Sequence, residues 1–132
     1  MATVSLLSDQ DAPAESRAVF DAIRAARGTD YVNNFWRALA HDPPLLRATW
    51  ERLANVMAPG ALDPLVKELI YVAVSVANGC AYCIHSHTAA ARAKGMTAAQ
   101  HAELLAVIAM ASQTNALATA LQVPTDARFS ED

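Results

Sequence analysis

Alanine sets the limits on what this chain can become. Thirty of the 132 residues are Ala, against four Gly, three Phe, three Tyr and two Trp. Ala is the strongest helix former and offers little to a pleated sheet, and Val, Ile and Thr are thinly spread. The chain therefore reads as all-α, a bundle of closely packed helices, with a sandwich or barrel disfavoured. Hydrophobic residues make up 54% of the sequence, which is too many for a disordered polymer. Ala buries little apolar area, however, so a lone subunit of this size has a modest core, and association with copies of itself is expected. One domain over residues 1–132 is expected, with the N-terminal ~10 and C-terminal ~8 residues frayed.

Charge excludes some partners. Thirteen acidic and ten basic residues give a formal charge of −3, with no run of either sign. No clustered basic face for nucleic acid is visible. The start, MATVSLLSDQDAP, lacks the charged and then apolar stretches of a signal peptide. The longest apolar run, Leu69–Ala77, is interrupted by Ser75 and falls well short of the ~20 residues that span a bilayer. No membrane association and a cytoplasmic location are the expectations.

Pro and Gly punctuate the chain at helix-length intervals. A first helix is expected from about Pro13 to Arg27, with Val19, Phe20 and Ile23 as its apolar stripe and Gly28 as its stop. A short one follows over Val32–Ala40, and another runs from Pro43 or Pro44 to about Met57. Asp63-Pro64 reads as N-cap and first residue of a helix reaching Asn78, with Gly79 as the turn. The next begins near Cys80 and ends at Lys94-Gly95. Thr97 caps a further helix over Ala98–Ser112, resuming as Asn115–Gln122, before a frayed tail from Thr125. That makes six or seven helices and no strand.

The chemistry concentrates in Glu68 and the stretch Cys80-Ala-Tyr-Cys83-Ile-His85-Ser-His87. On a helix, positions 80, 83 and 87 share one face, because neighbours three and four apart stack. Cys80 would sit in the first turn, where unpaired N–H groups and the helix dipole favour a thiolate. His85 lies about 200° from Cys83 and points elsewhere. On the preceding helix the polar residues Glu68, Tyr71, Ser75 and Asn78 follow the spacing +3, +4, +3, a single stripe. If the two helices form an antiparallel hairpin about Gly79, Glu68 lies ~16 Å and His87 ~12 Å from the turn. The two are then nearly level and can share a proton or a water. A carboxylate orienting an imidazole near a thiol is the arrangement of an activated cysteine.

Other uses of these residues compete. The cysteines could be small buried hydrophobes and Glu68 a solvated helix residue. His41, His85 and His101 read as surface or structural, and Trp36, Trp50 and Tyr31 as core or subunit-interface residues. Tyr71 either lines the site or packs beside it. A c-type haem needs His directly after the second Cys, where Ile84 stands, and a thioredoxin-type dithiol needs strands. Zinc could use Cys80, Cys83 and His85 or His87, but structural zinc usually joins two separated ligand pairs and no second pair exists.

A Glu followed twelve residues later by Cys-x-x-Cys-x-x-x-His, here Glu68, Cys80, Cys83 and His87, resembles the carboxymuconolactone decarboxylase superfamily in its alkylhydroperoxidase D-like branch. The resemblance covers roughly Pro59–Gly95. It implies an all-helical fold whose subunits form trimers or hexamers, and a dithiol that reduces hydroperoxides. Carried onto this chain, Cys83 would attack the O–O bond and become a sulfenic acid. Cys80 would resolve it as a disulfide and take part in the proton relay, and Glu68 and His87 would manage protons. No cofactor is bound; an external dithiol such as dihydrolipoamide, or a protein carrying one, would reset the enzyme. The well-known peroxidases of the branch carry a His just before the second Cys, where this chain has Tyr82, a phenol of much higher pKa. The chain also looks shorter than they are. The rival readings are a non-redox decarboxylase-type enzyme on a cyclic carboxylic acid, with Glu68 and His87 as acid and base, and a zinc-binding module.

Overall fold

Each helix starts and stops where a local device dictates. A computed structural model of the chain describes residues 1–130, and its α-carbons group into two compact units, one of Met1–Ala58 and one from Pro59 onward. No strand occurs among the described residues.

The first unit holds α1 (Ala14–Arg27), α2 (Asn34–Leu39) and α3 (Pro43–Met57). Gly28 takes the left-handed conformation and its N–H closes on the Arg24 carbonyl, which ends α1. The expected stripe of α1 is buried: Val19, Phe20 and Ile23 pack with Val32, Trp36, Ala40 and Leu46. Trp50 meets Trp36 edge-on at 5.5 Å, whereas Tyr31 is 64% exposed and belongs to no core. The Ser16 hydroxyl, fully buried, donates to the Ala40 carbonyl at 2.8 Å. α2 is shorter than expected, because Val32 and Asn33 stay outside it, Asn33 with extended backbone. Residues 5–9, expected to fray, are tied down instead. Leu7 exchanges hydrogen bonds with Arg37, and Asp9 bridges Arg24 and Arg37. His41 is structural, its Nε2 2.8 Å from the Ser5 carbonyl.

The second unit holds α4 (Pro64–Ala77), α5 (Ala81–Ala93) and α6 (Ala98–Ala120). Asp63 caps α4 by accepting the Leu65 N–H, with Pro64 at the first helical position. α4 ends in a Schellman motif. Gly79, at φ 67°, donates to Val76, and Cys80 donates to Ser75. Cys80 is at once the N-cap of α5, so only Gly79 stands between the cap residues of the two helices. The expectation that Cys80 lies inside the first turn is thus corrected by one residue. α5 ends in a second Schellman motif, with Gly95 at φ 95° and Met96 bonding back to Ala91. α6 opens on a capping box between Thr97 and Gln100.

The expected break of α6 near Ser112 does not occur; the helix is continuous. No Gly or Pro intervenes there, and the Thr114 hydroxyl turns back onto the Met110 and Ala111 carbonyls. Of the tail expected to fray, residues 127–130 form a short 3-10 turn, α7 (Ala127–Ser130), while residues 131–132 lie outside the described residues.

Two outcomes test these devices. A Cβ at Gly79 meets no neighbour within 4 Å, so Gly79→Ala carries only the left-handed penalty, about 1–2 kcal/mol. At the end of α6, Gln122 holds the same conformation at φ 48°, so Gln122→Gly should raise stability by about 0.5–1 kcal/mol. Urea denaturation midpoints read both. A further outcome concerns pH. Hydrogen bonding from Arg24, joined by Arg37, holds the Asp9 carboxyl down at about 2 from an ordinary 3.8. A depressed folded value means that this stabilisation is complete above the unfolded value and is lost as pH falls through about 2. Asp9→Asn should therefore unfold at lower urea than the parent at pH 7, and the gap should close as both are acidified toward pH 2.

Candidate active site

The hairpin of α4 and α5 buries polar side chains. Glu68, Val72 and Ser75 are the buried residues of α4, spaced four and three apart, and Thr88 and Ala91 are those of α5. The expected polar stripe of α4 thus faces inward in part. Val66, Ile70 and Val74 point to solvent at 41%, 48% and 52% exposure. Burial of a carboxylate is costly unless it is paired, and Glu68 is paired twice. Its Oε2 lies 2.7 Å from Nδ1 of His87, and its Oε1 accepts from Nζ of Lys94 at 3.1 Å.

Axial arithmetic puts Glu68 level with His87, and the structure joins them. Lys94 was missed by sequence reasoning. Its signal was a spacing of seven from His87, two turns along the same face of α5. Side chains lean toward the N-terminus of their own helix, so in an antiparallel hairpin Glu68 leans away from Gly79 and Lys94 leans toward it. The two meet between. Burial pushes the Glu68 carboxyl up, but hydrogen bonds from His87 and Lys94 outweigh it and hold the group below the usual carboxylate range. An ionised carboxylate only accepts, so Nδ1 of His87 is the donor, and in the neutral imidazole it is Nε2 that carries the lone pair.

Tyr71 lines the site. Its ring stacks on the His87 imidazole with centroids 3.5 Å apart and planes 18° from parallel, which fixes the plane of the ring. Cys80 and Cys83 are joined as a disulfide, their α-carbons 5.3 Å apart, at the mouth of α5. The Cys83 N–H donates to Sγ of Cys80 at 3.2 Å, and Cys83 lies one helical turn before His87. His85 is exposed and His101 lies on α6; neither joins Glu68. Tyr82 is 43% exposed. Among the described residues no three His, Cys, Asp or Glu side chains converge as metal ligands, and the two sulfurs that zinc would need are bonded to each other.

Comparison with known proteins matches this geometry to a family. The carboxymuconolactone decarboxylase family pattern covers residues 43–126, crossing from the first unit into the second. Over 125 residues the chain is 34% identical to alkyl hydroperoxide reductase AhpD of Solibacter usitatus, covering 92% of this chain and 68% of that protein. It is 31% identical over 116 residues to AhpD of Maricaulis maris, covering 83% of this chain and 65% of that one. The chain thus spans about two thirds of the length of these relatives. The crystal structure of the alkylhydroperoxidase AhpD core of Rhodospirillum rubrum superposes with a TM-score of 0.97 at 63% identity, covering 100% of this chain and 99% of that one. By sequence, fold and the Cys-x-x-Cys at the head of α5, the chain belongs to the carboxymuconolactone decarboxylase superfamily, in its AhpD-like branch.

Proposed function

We propose that this chain is a cytoplasmic thiol peroxidase, or a disulfide reductase of the same dithiol, that reduces organic hydroperoxides or hydrogen peroxide. The observation that carries this reading is the bonded Cys80–Cys83 pair at the mouth of the helix that also presents His87 to a buried Glu68. The AhpD relatives support it by name. Residues 1–132 are taken as one functional domain, as the family match across both units supports.

In the reduced protein His87, held by Glu68, takes the proton of a thiol. The Cys83 thiolate attacks the distal oxygen of the peroxide, the O–O bond breaks, and an alcohol leaves with one proton. The Cys83 sulfenic acid is then attacked by Cys80, which releases water and closes the disulfide. Two electrons have passed from the thiols to the peroxide. An external dithiol, dihydrolipoamide-like or carried on a protein, supplies two electrons back by thiol–disulfide exchange. No bound cofactor enters the cycle.

The same reading includes self-association. On α4 the exposed residues Leu62, Val66, Ile70 and Val74 recur every four positions, the first just ahead of the helix. α6 buries none of its residues and exposes Leu105, Val107, Met110 and Leu117. Contiguous apolar surface of this kind marks an interaction face, and a trimer or hexamer of this chain is the proposed assembly. No helix of the described residues is long and apolar enough to cross a membrane.

Two measurements test these statements. Pre-reduced protein mixed with one equivalent of an alkyl hydroperoxide should lose two hydrogens in denatured intact mass, far faster than a free thiol reacts. Cys83→Ser should abolish that loss. Glu68→Gln should slow it by roughly a hundredfold, the lower end of the ~10²–10⁴-fold range for a proton-transfer group, since Glu68 acts through His87. An unchanged mass in the parent would sink the peroxidase and leave the decarboxylase-type enzyme, which tolerates Cys80→Ser and Cys83→Ser. For the assembly, light scattering on the eluting protein should give three or six times the 14.0 kDa chain mass, and Ile70→Glu should lower it. A monomeric parent would remove that part of the proposal.

A further inference from the structure

The motif that identifies the family contains Glu68, Cys80, Cys83 and His87, but the structure adds a fifth group to the same pairing. We propose that Lys94 is a positioning residue for the Glu68–His87 pair: its ammonium, 3.1 Å from Oε1, keeps the carboxylate an acceptor and so keeps the His87 proton on Nδ1.

The argument starts from what Glu68 requires. With a side chain only 6% exposed, it cannot rely on water to stay ionised. Its two oxygens are divided between two donors, one to each, so neither substitutes for the other. Both donors come from α5. On α4 its neighbours are Lys67 and Tyr71, and Tyr71 is turned to the imidazole. α6, which also packs on α4, carries His101 and Glu103, and the hydrogen-bonding partners of the carboxylate are His87 and Lys94.

If Glu68 took up a proton on Oε2, that oxygen would become a donor, and Nδ1 would have to accept. The imidazole proton would then move to Nε2 and remove the lone pair that takes a thiol proton. Lys94 opposes that inversion with a fixed positive charge. Its backbone is held for the task. It is the C-cap of α5, and the Schellman turn through Gly95 and Met96 locks it in place. Its side chain is 39% exposed, so it can be replaced without opening a core. That His87 serves thiol oxidation rests on the dithiol-peroxidase reading; the action of Lys94 on the carboxylate does not.

The test uses the full chain with carboxyl-13C glutamate and 15N histidine, in the parent and in Lys94→Met and Lys94→Arg, with Glu68→Gln to assign the Glu68 signal. Circular dichroism confirms that each variant is folded. The Glu68 titration midpoint should move up in Lys94→Met and return toward the parent in Lys94→Arg. The His87 15N shifts should report Nδ1–H in the parent to lower pH than in Lys94→Met. In the peroxide reaction, the rate ratio of parent to Lys94→Met should grow from about one near pH 8 to roughly tenfold near pH 5, as loss of a neighbouring opposite charge predicts. An unmoved Glu68 midpoint in folded Lys94→Met, or no rescue by Lys94→Arg, overturns the proposal. If the midpoint and tautomer respond but the parent never forms the disulfide with peroxide, the positioning role stands and the peroxidase reading falls.

Discussion

A carboxylate shut between two helices has to be answered by positive or donating groups, and that requirement organises the second unit of this protein. Glu68 is answered by His87 and Lys94 from the facing helix. Their positions set the register of α4 against α5, because one partner lies nearer the turn and the other farther from it. The imidazole is in turn pinned on its face by Tyr71. Apolar packing alone would not define this register so narrowly, since small Ala side chains tolerate sliding. A buried ion pair seldom adds much net stability. Here it fixes which atoms of α5 face which atoms of α4, and the cysteines are carried along by that alignment.

Much of this arrangement was legible in the sequence, for definite reasons. Asp63-Pro64 and Thr97 announce helix starts through capping chemistry that acts within a few residues, and both behave as read. Pairing of Glu68 with His87 followed from two rises of 1.5 Å per residue counted from one glycine. Lys94 escaped because axial counting places its α-carbon well beyond Glu68. Only the lean of long side chains along a helix brings the ammonium back. The break expected in α6 failed for a related reason. Ser112 and Thr114 are indifferent helix formers, but nothing in them removes a backbone donor, and a hydroxyl turned onto its own helix leaves the ladder whole.

α4 also shows how hydrophobic patterning can mislead about which side of a helix is interior. Its exposed face carries Val66, Ile70 and Val74, and its buried face carries Glu68 and Ser75. A periodicity argument that sends apolar residues to the core would rotate the helix by about half a turn. The inversion is sensible for a chain whose polar interior is proposed to be its working part and whose apolar exterior is proposed to meet other copies of itself. In the first unit the ordinary rule holds, and Phe20, Ile23 and Leu46 fill the middle.

Cys80 belongs to two helices at once: its N–H closes the end of α4 onto Ser75, and its carbonyl accepts from Ile84 in the first turn of α5. Neither bond depends on whether the sulfur is paired. Those two bonds can therefore persist in the reduced form, and the proposed cycle would need only the rotation of two short side chains. In that cycle each turnover would avoid the entropy of reordering a loop, and the second thiol would wait at an effective concentration that free solution cannot match. On the proposed peroxidase reading, a transient sulfenic acid on Cys83 would accordingly be short-lived, and the protein would resist irreversible damage when peroxide is in excess.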